Sequence, residues 1–357
     1  MDGTSTKKRF LFIIVCNLFV ATLLFTFCEA FVRWKGFESY VGPEQKQVMI
    51  TAEPGGKLFQ KHPTLGYTHI PGEFTVTLPG PAKAKLSFHV THLDSTLRIT
   101  HSLETYTASQ PKPEIWILGC SLTHGWSLND EETYPWLVQM QFPDYEVVNF
   151  GVSGYGTIHS LIEVQEALQI REKPKLVILA YSSRHDIRNA FTRRRRKSVA
   201  PWNKLGPLVQ PYGRLDKNGK LQVHMADVIY QEAPFMRYSA FIHFLEDTYN
   251  NKEDAYLHVH DISKAIIREL NTLCKTNDVK LVLAGIEAIE ETMEMLDFAQ
   301  QEGILSTNIS VDLSLPGYTN APFDPHPSAM ADREMARKLI EFLGSSGALR
   351  SQEPRNQ

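Results

Sequence analysis

From residue 114 onward, short apolar runs alternate with longer segments whose apolar positions recur every three or four residues. The runs 114–118, 146–150, 175–181, 279–286 and 304–313 have strand length and are mostly apolar, which predicts strands buried on both faces. The segments 131–141, 158–171, 260–276 and 288–301 have helical periodicity, and a last helix is predicted over 329–343. Such alternation implies an α/β fold, a parallel sheet covered by helices on both faces. Ligands of these sheets bind beyond the carboxyl ends of the strands.

The chain ahead of residue 114 has other rhythms. Residues 33–110 form a β-rich lead-in. In it KLSFHVTHLDSTLRIT alternates apolar and polar positions, and Pro and Gly punctuate it at Pro54-Gly55-Gly56, Pro71-Gly72 and Pro79-Gly80-Pro81. SQPKP, 109–113, reads as the joint to the main domain of 111–345. Residues 10–32 are apolar, with no charge from Phe10 to Cys28. About 20 apolar residues cross a bilayer core as a helix, whereas a cleaved signal has an apolar core of about 7–15. The run therefore reads as a retained anchor behind a short cytoplasmic tail, 1–9. Cleavage after Ala30 is the alternative that the small residues Cys28 and Ala30 leave open. Phe27 is too bulky for a lipoprotein site. Lys7, Lys8 and Arg9 precede the run and Arg33 and Lys35 follow it, a balance that leans toward a cytoplasmic N-terminus. The rest then lies outside the cytoplasm, as for a single-pass inner-membrane protein facing a periplasm.

Residues 190–235 interrupt the strand–helix rhythm with RRRRK and several Pro and Gly, and read as a long loop, functional or disordered. Residues 346–357 read as a flexible tail. Composition adds little: 43% apolar and 22% charged residues with a net charge of −3 are globular values. They do not suit a nucleic-acid binder, which is usually basic. The four cysteines, at 16, 28, 120 and 274, have neither metal-ligand nor paired spacing.

The chemistry lies where strands end. The run Ile115–Leu118 stops at Gly119 and hands over to Cys120 and Ser121. Near the other end, DPHPS places Asp324 and His326 in a loop before the final helix. Between them, NFGVSGYGT (149–157) and AYSSRHDIRN (180–189) each follow a strand. A hydroxyl nucleophile needs a base, an orienter for the base and donors for the oxyanion. Four strand ends thus deliver small or polar groups to one rim.

This set resembles the SGNH hydrolase (GDSL-type esterase) family over roughly residues 114–343. Gly119-Cys120-Ser121 with Gly125 is similar to its first block, Gly154 to the glycine of its second, SSRHDIRN to its third, and DPHPS to its fifth. The resemblance implies a three-layer flavodoxin-like sheet, with Ser121 as nucleophile, His326 as general base and Asp324 as its orienter. The oxyanion hole would be lined by the N–H groups of Ser121 and Gly154, with His185 in the place of the usual Asn. Three departures stand out: His185 for Asn, Cys120 for Asp, and an acid two rather than three residues before His326. Cys120 reads as a buried small hydrophobe. His124, Asn149 and Asp186 read as local network members. An α/β-hydrolase elbow is disfavoured, since Thr123 stands where Gly-x-Ser-x-Gly requires Gly.

The implied activity is ester hydrolysis through an acyl-enzyme on an O-acetylated glycan or a lipid ester, without metal or organic cofactor. The alternatives are an O-acyltransferase with the same site and a non-catalytic envelope binding protein. The Arg193–Lys197 run reads as a solvated loop. Its sharper reading, with Arg188, Arg193 and Arg194, is a clamp for an anionic substrate or phospholipid head groups.

Overall fold

A computed structural model describes residues 3–42, 50–108 and 111–349. Residues 109–110 of the expected joint and 350–357 of the expected tail lie outside the described residues. The chain divides into two compact units, Met1–Gln47 with Tyr230–Ala255, and Val48–Ile229 with Tyr256–Gln357.

In the smaller unit α1 (Gly3–Trp34) is one unbroken helix, and Lys8–Trp34 is long and apolar enough to cross a membrane. Its apolar side chains, Phe10 to Phe27, are largely exposed. The Glu29 carboxylate accepts the Ser239 hydroxyl (2.7 Å) and the backbone N–H groups of Ala240 and Phe241 (3.0 and 2.9 Å). These bonds cap the start of α8 (Ala240–Tyr256), where orphan N–H groups and the helix dipole favour an anion.

The larger unit opens with the lead-in: β1 (Thr51–Glu53), the hairpin β2 (Phe59–His62) and β3 (Gly66–His69), then β4 (Gly72–Pro79) and β5 (Lys85–His92). β1, β4 and β5 form an antiparallel sheet. Strand alternation puts Phe74, Val76 and Leu78 of β4 and Phe88, Val90 and His92 of β5 on its buried face. A short helix, α2 (Leu103–Ala108), ends the lead-in.

The central sheet contains β6 (Glu114–Leu118), β7 (Glu146–Asn149), β8 (Leu176–Tyr181), β11 (Lys280–Gly285) and β12 (Leu305–Asn308). All are parallel, in the order β12-β11-β8-β6-β7. This is the flavodoxin-like 2-1-3-4-5 order, and its switch point lies between β6 and β8. Trp116, Leu118, Val177, Leu179 and Leu283 pack on one face against α5 (Thr157–Ile170), α9 (Val259–Thr276) and α10 (Glu290–Gln301). Ile115, Ile117, Ile178 and Val282 pack on the other against α4 (Tyr134–Gln141) and α11 (Ala329–Ser345). The fold class read from the pattern is the one formed. The last strand is shorter than expected, because Asn308 folds its side chain onto Ser310 N (2.9 Å) and Oγ (2.6 Å) and turns the chain.

Residues 190–235 correct the expectation of a long loop. They hold α7 (Arg193–Val199) and an antiparallel hairpin of β9 (Val209–Leu215) and β10 (Leu221–Asp227). Asp216 closes the hairpin by accepting the N–H groups of Asn218 and Lys220. The Asn218-Gly219 pair was a legible signal for it. Phe191, Val199, Leu208 and Val228 share a small core with Leu65, Tyr67, Val152 and Tyr155.

Candidate active site

β6 ends at Gly119 because the chain turns too tightly there for a side chain. A Cβ would stand 2.1 Å from Thr123 Oγ1 and 3.2 Å from Ala180 Cβ. Cys120 is buried in the core, as expected, and Ser121 opens the four-residue helix α3 (Ser121–His124). As a first helical residue, Ser121 points its N–H away from any intrahelical acceptor. Gly125 closes the turn in the left-handed region at φ 80°. Arg98 of the lead-in, fully buried, fastens this turn. Its Nη1 donates to the carbonyls of His124 and Gly125 (both 2.6 Å), its Nη2 to Leu128 O (2.7 Å), and its Nε to Asp130 (2.9 Å).

The loop before α11 brings the expected base. His326 Nε2 lies 2.9 Å from Ser121 Oγ, and His326 Nδ1 lies 2.6 Å from Asp324 Oδ1. A carboxylate only accepts, so Nδ1 carries the proton and Nε2 is free to take one from the serine. The same Asp324 oxygen accepts His326 N–H at 2.8 Å. The two-residue spacing that departs from the family pattern is thus an Asx-type turn, which holds the acid under the ring it orients. Burial by itself would raise the Asp324 pKa, but the bonds from His326 and from Trp126 Nε1 (3.2 Å) outweigh it and leave it lowered. His326 keeps about a quarter of its side chain exposed, so the ring touches solvent.

Trp126, Ser127 and Asn320 complete the frame and carried no signal in the sequence. Ser127 Oγ is 3.4 Å from Asp324 Oδ1, and Asn320 Nδ2 donates to Ser127 O (3.0 Å) and Oγ (2.9 Å). Asn149, at the end of β7, donates to Thr123 O (3.0 Å) and accepts Gly151 N–H (2.9 Å). It therefore joins the Gly154 loop to the Ser121 turn. Gly154 has φ +83°, and a Cβ there would sit 2.6 Å from Tyr67 Oη. Tyr67 donates to Ser153 O (2.9 Å) and Arg195 to Gly154 O (2.7 Å). Among the described residues the Gly154 N–H has no recorded acceptor.

His185 departs from its expected place. It lies in α6 (Arg184–Asn189) with its ring fully buried, Nδ1 3.3 Å from Thr157 Oγ1 and the ring edge-on to Tyr181. Burial, with Arg188, His159 and Arg195 nearby, holds its pKa well below the usual range. None of its recorded contacts is with Ser121 or His326, because α6 turns this side toward the core. Asp186 is a network member: it accepts from Tyr181 and Ser263 (both 2.6 Å) and bonds His260 (2.8 Å).

The arginine run is likewise corrected. It is helical, capped by Thr192, and Arg195 is buried against Gly154 and Gln210. Arg193 and Arg194 are half-buried, and Arg188 Nη1 donates to Tyr155 O at 2.8 Å. None of these placements puts Arg188, Arg193 or Arg194 at Ser121.

No protein-family profile matches the chain, and no curated protein matches it in sequence. Solved structures do. TesA is 15% identical, covers 65% of this chain and 98% of its own, and has a TM-score of 0.39. A member of the lipolytic protein G-D-S-L family from Veillonella parvula is 12% identical, with coverages of 65% and 98% and a TM-score of 0.38. An active-site mutant of a family two carbohydrate esterase from Clostridium thermocellum is 11% identical, with 67% and 66% covered and a TM-score of 0.37. These matches include proteins described as G-D-S-L, the family that the four sequence blocks resemble.

Proposed function

We propose that the chain is a serine ester hydrolase working through an acyl-enzyme. The observation that carries this reading is the unbroken relay Ser121 Oγ–His326 Nε2 at 2.9 Å and His326 Nδ1–Asp324 Oδ1 at 2.6 Å, at the switch point of the sheet. Ser121 Oγ attacks the ester carbonyl carbon while His326 Nε2 takes its proton, and Asp324 stabilises the imidazolium. The N–H groups of Ser121 and Gly154 receive the oxyanion. Collapse expels the alcohol, which takes the proton from Nε2, and water resolves the acyl-enzyme with Nε2 again as base. The substrate class is an O-acetylated glycan or a lipid ester. A sugar hydroxyl in place of water would make the same site an O-acyltransferase.

The chain is retained as a single-pass membrane protein with this site outside the cytoplasm. Two features support that: the length of the apolar stretch in α1, and Glu29, which cleavage after Ala30 would separate from the helix it caps.

Hydrolysis of p-nitrophenyl acetate and labelling by a fluorophosphonate test the reading. Wild type turns over and is labelled. Ser121→Ala loses both, with turnover down at least about 10⁴-fold, and Cys120→Ala keeps both. A folded wild-type protein that is neither labelled nor active on this ester or on acetylated oligosaccharide sinks it.

A further inference from the structure

We propose that His69, His92 and His124 form a binding site for a divalent transition-metal ion of the zinc class. The site staples the lead-in strands to the turn that carries the serine. The three residues end β3, β5 and α3, and one ligand atom of each lies within 4.8 Å of the other two. All three rings are buried, with 1%, 3% and 1% exposure. His92 Nε2 is 3.0 Å from His124 Nε2, and the His69 ring stacks on that of His92 at 4.0 Å.

The outer partners fix which nitrogens face inward. His69 Nδ1 lies 3.3 Å from Thr96 O, and His92 Nδ1 lies 3.1 Å from Ile70 O. A carbonyl can only accept, so both Nδ1 atoms carry hydrogen and both Nε2 atoms present lone pairs. Metal-ligating histidines are oriented this way, by donating the other ring N–H to a carbonyl or carboxylate. The facing Nε2 atoms of His92 and His124 cannot turn two lone pairs on each other: either His124 carries its hydrogen on Nε2 and donates it, or a metal ion lies between them.

A proton on His124 Nε2 satisfies that pair alone. It leaves His69 Nε2 and His124 Nδ1 as buried atoms without a partner among the described residues. A buried polar atom left without a partner loses its hydration with nothing in return. A metal ion engages Nε2 of all three and leaves only the His124 Nδ1–H.

Arg98, the nearby cation, is already neutralised by Asp130 and held by carbonyls. Zinc–nitrogen bonds of about 2.0–2.1 Å place tetrahedral ligand pairs roughly 3.3 Å apart, so the third ring closes by about 1.5 Å at most.

The test uses the full chain, purified in detergent through a tag without histidine, with metal content measured by mass spectrometry. Stripped protein is then titrated with Co²⁺ and Zn²⁺. Wild type is expected to hold one ion per chain and to give the intense visible bands of low-coordinate Co²⁺. Losing an outer partner costs about 10–100-fold in metal affinity, so His69→Gln or His92→Gln should weaken Co²⁺ binding beyond about 100-fold. Circular dichroism reports whether each variant folds. If both fail to fold, the wild-type titration, competed with a chromogenic chelator, decides. The proposal is overturned if wild type takes up no stoichiometric Zn²⁺ or Co²⁺, or if folded His69→Gln and His92→Gln bind Co²⁺ as wild type does.

Discussion

The two ends of α3 meet two histidine environments. At its first residue, Ser121 faces His326, which is partly exposed and has both ring nitrogens engaged. At its last, His124 is buried against His69 and His92, with Nδ1 unpartnered among the described residues. The four residues of α3 thus reach from a ring that touches solvent to a cluster that does not. An accessible imidazole with an oriented proton can pass that proton on. A buried group of imidazoles whose Nδ1 atoms face carbonyls turns lone pairs inward, which suits holding a cation rather than moving one.

The sharpest way to break the comparison is on the open side. Asp324→Asn puts an amide N–H where the carboxylate accepts, which drives the proton to His326 Nε2 and blocks the attack. A fall in kcat of about 10⁴-fold at unchanged thermal midpoint is expected. Less than a tenfold fall means that Asp324 does not orient the ring.

The closed side fails through stability instead. Arg98→Met leaves the Asp130 carboxylate and the carbonyls of His124, Gly125 and Leu128 without their buried donor. Loss of one partner of a buried ion pair costs about 3–5 kcal/mol, to be read from the shift of the urea transition. An unshifted midpoint would show that the turn needs no clamp.

Trp126→Phe removes one donor to Asp324 and keeps the ring packed on Phe88. The expected result is about a tenfold loss in kcat with KM unchanged. A change in KM alone would place Trp126 with the substrate instead.

A further effect is linked to pH. Burial raises the Asp332 pKa from 3.8 to about 8, although Tyr134 N–H and Arg98 oppose it. Between those values the folded protein keeps a proton that the unfolded chain releases, so this residue costs stability as pH rises through the window. Asp332→Asn has no proton to lose. Its midpoint should gain on wild type from pH 5 to pH 8, and a gap that stays constant contradicts the buried neutral acid.

Much of the frame was legible because it is local. The apolar runs of β6, β8 and β11 and the helical periodicity of α9 and α11 follow from residues within one element. The order of Ser121, Asp324 and His326 along the chain placed them at strand ends. The hairpin turn at Asn218-Gly219 is local in the same way. Arg195 was not, since four arginines in a row look solvated until a distant glycine carbonyl and Gln210 claim one of them.

The sequence by itself determined a parallel sheet between helices, a serine at the end of its first strand and an Asp–His pair on the loop before the last helix. It could do so because side-chain periodicity and turn chemistry act over a few residues. Only the tertiary structure decided that Asp324 meets His326 Nδ1 at two-residue spacing, that His185 turns inward and that His69, His92 and His124 converge. A polar group's role depends on which distant partners share its burial, and no local pattern records that.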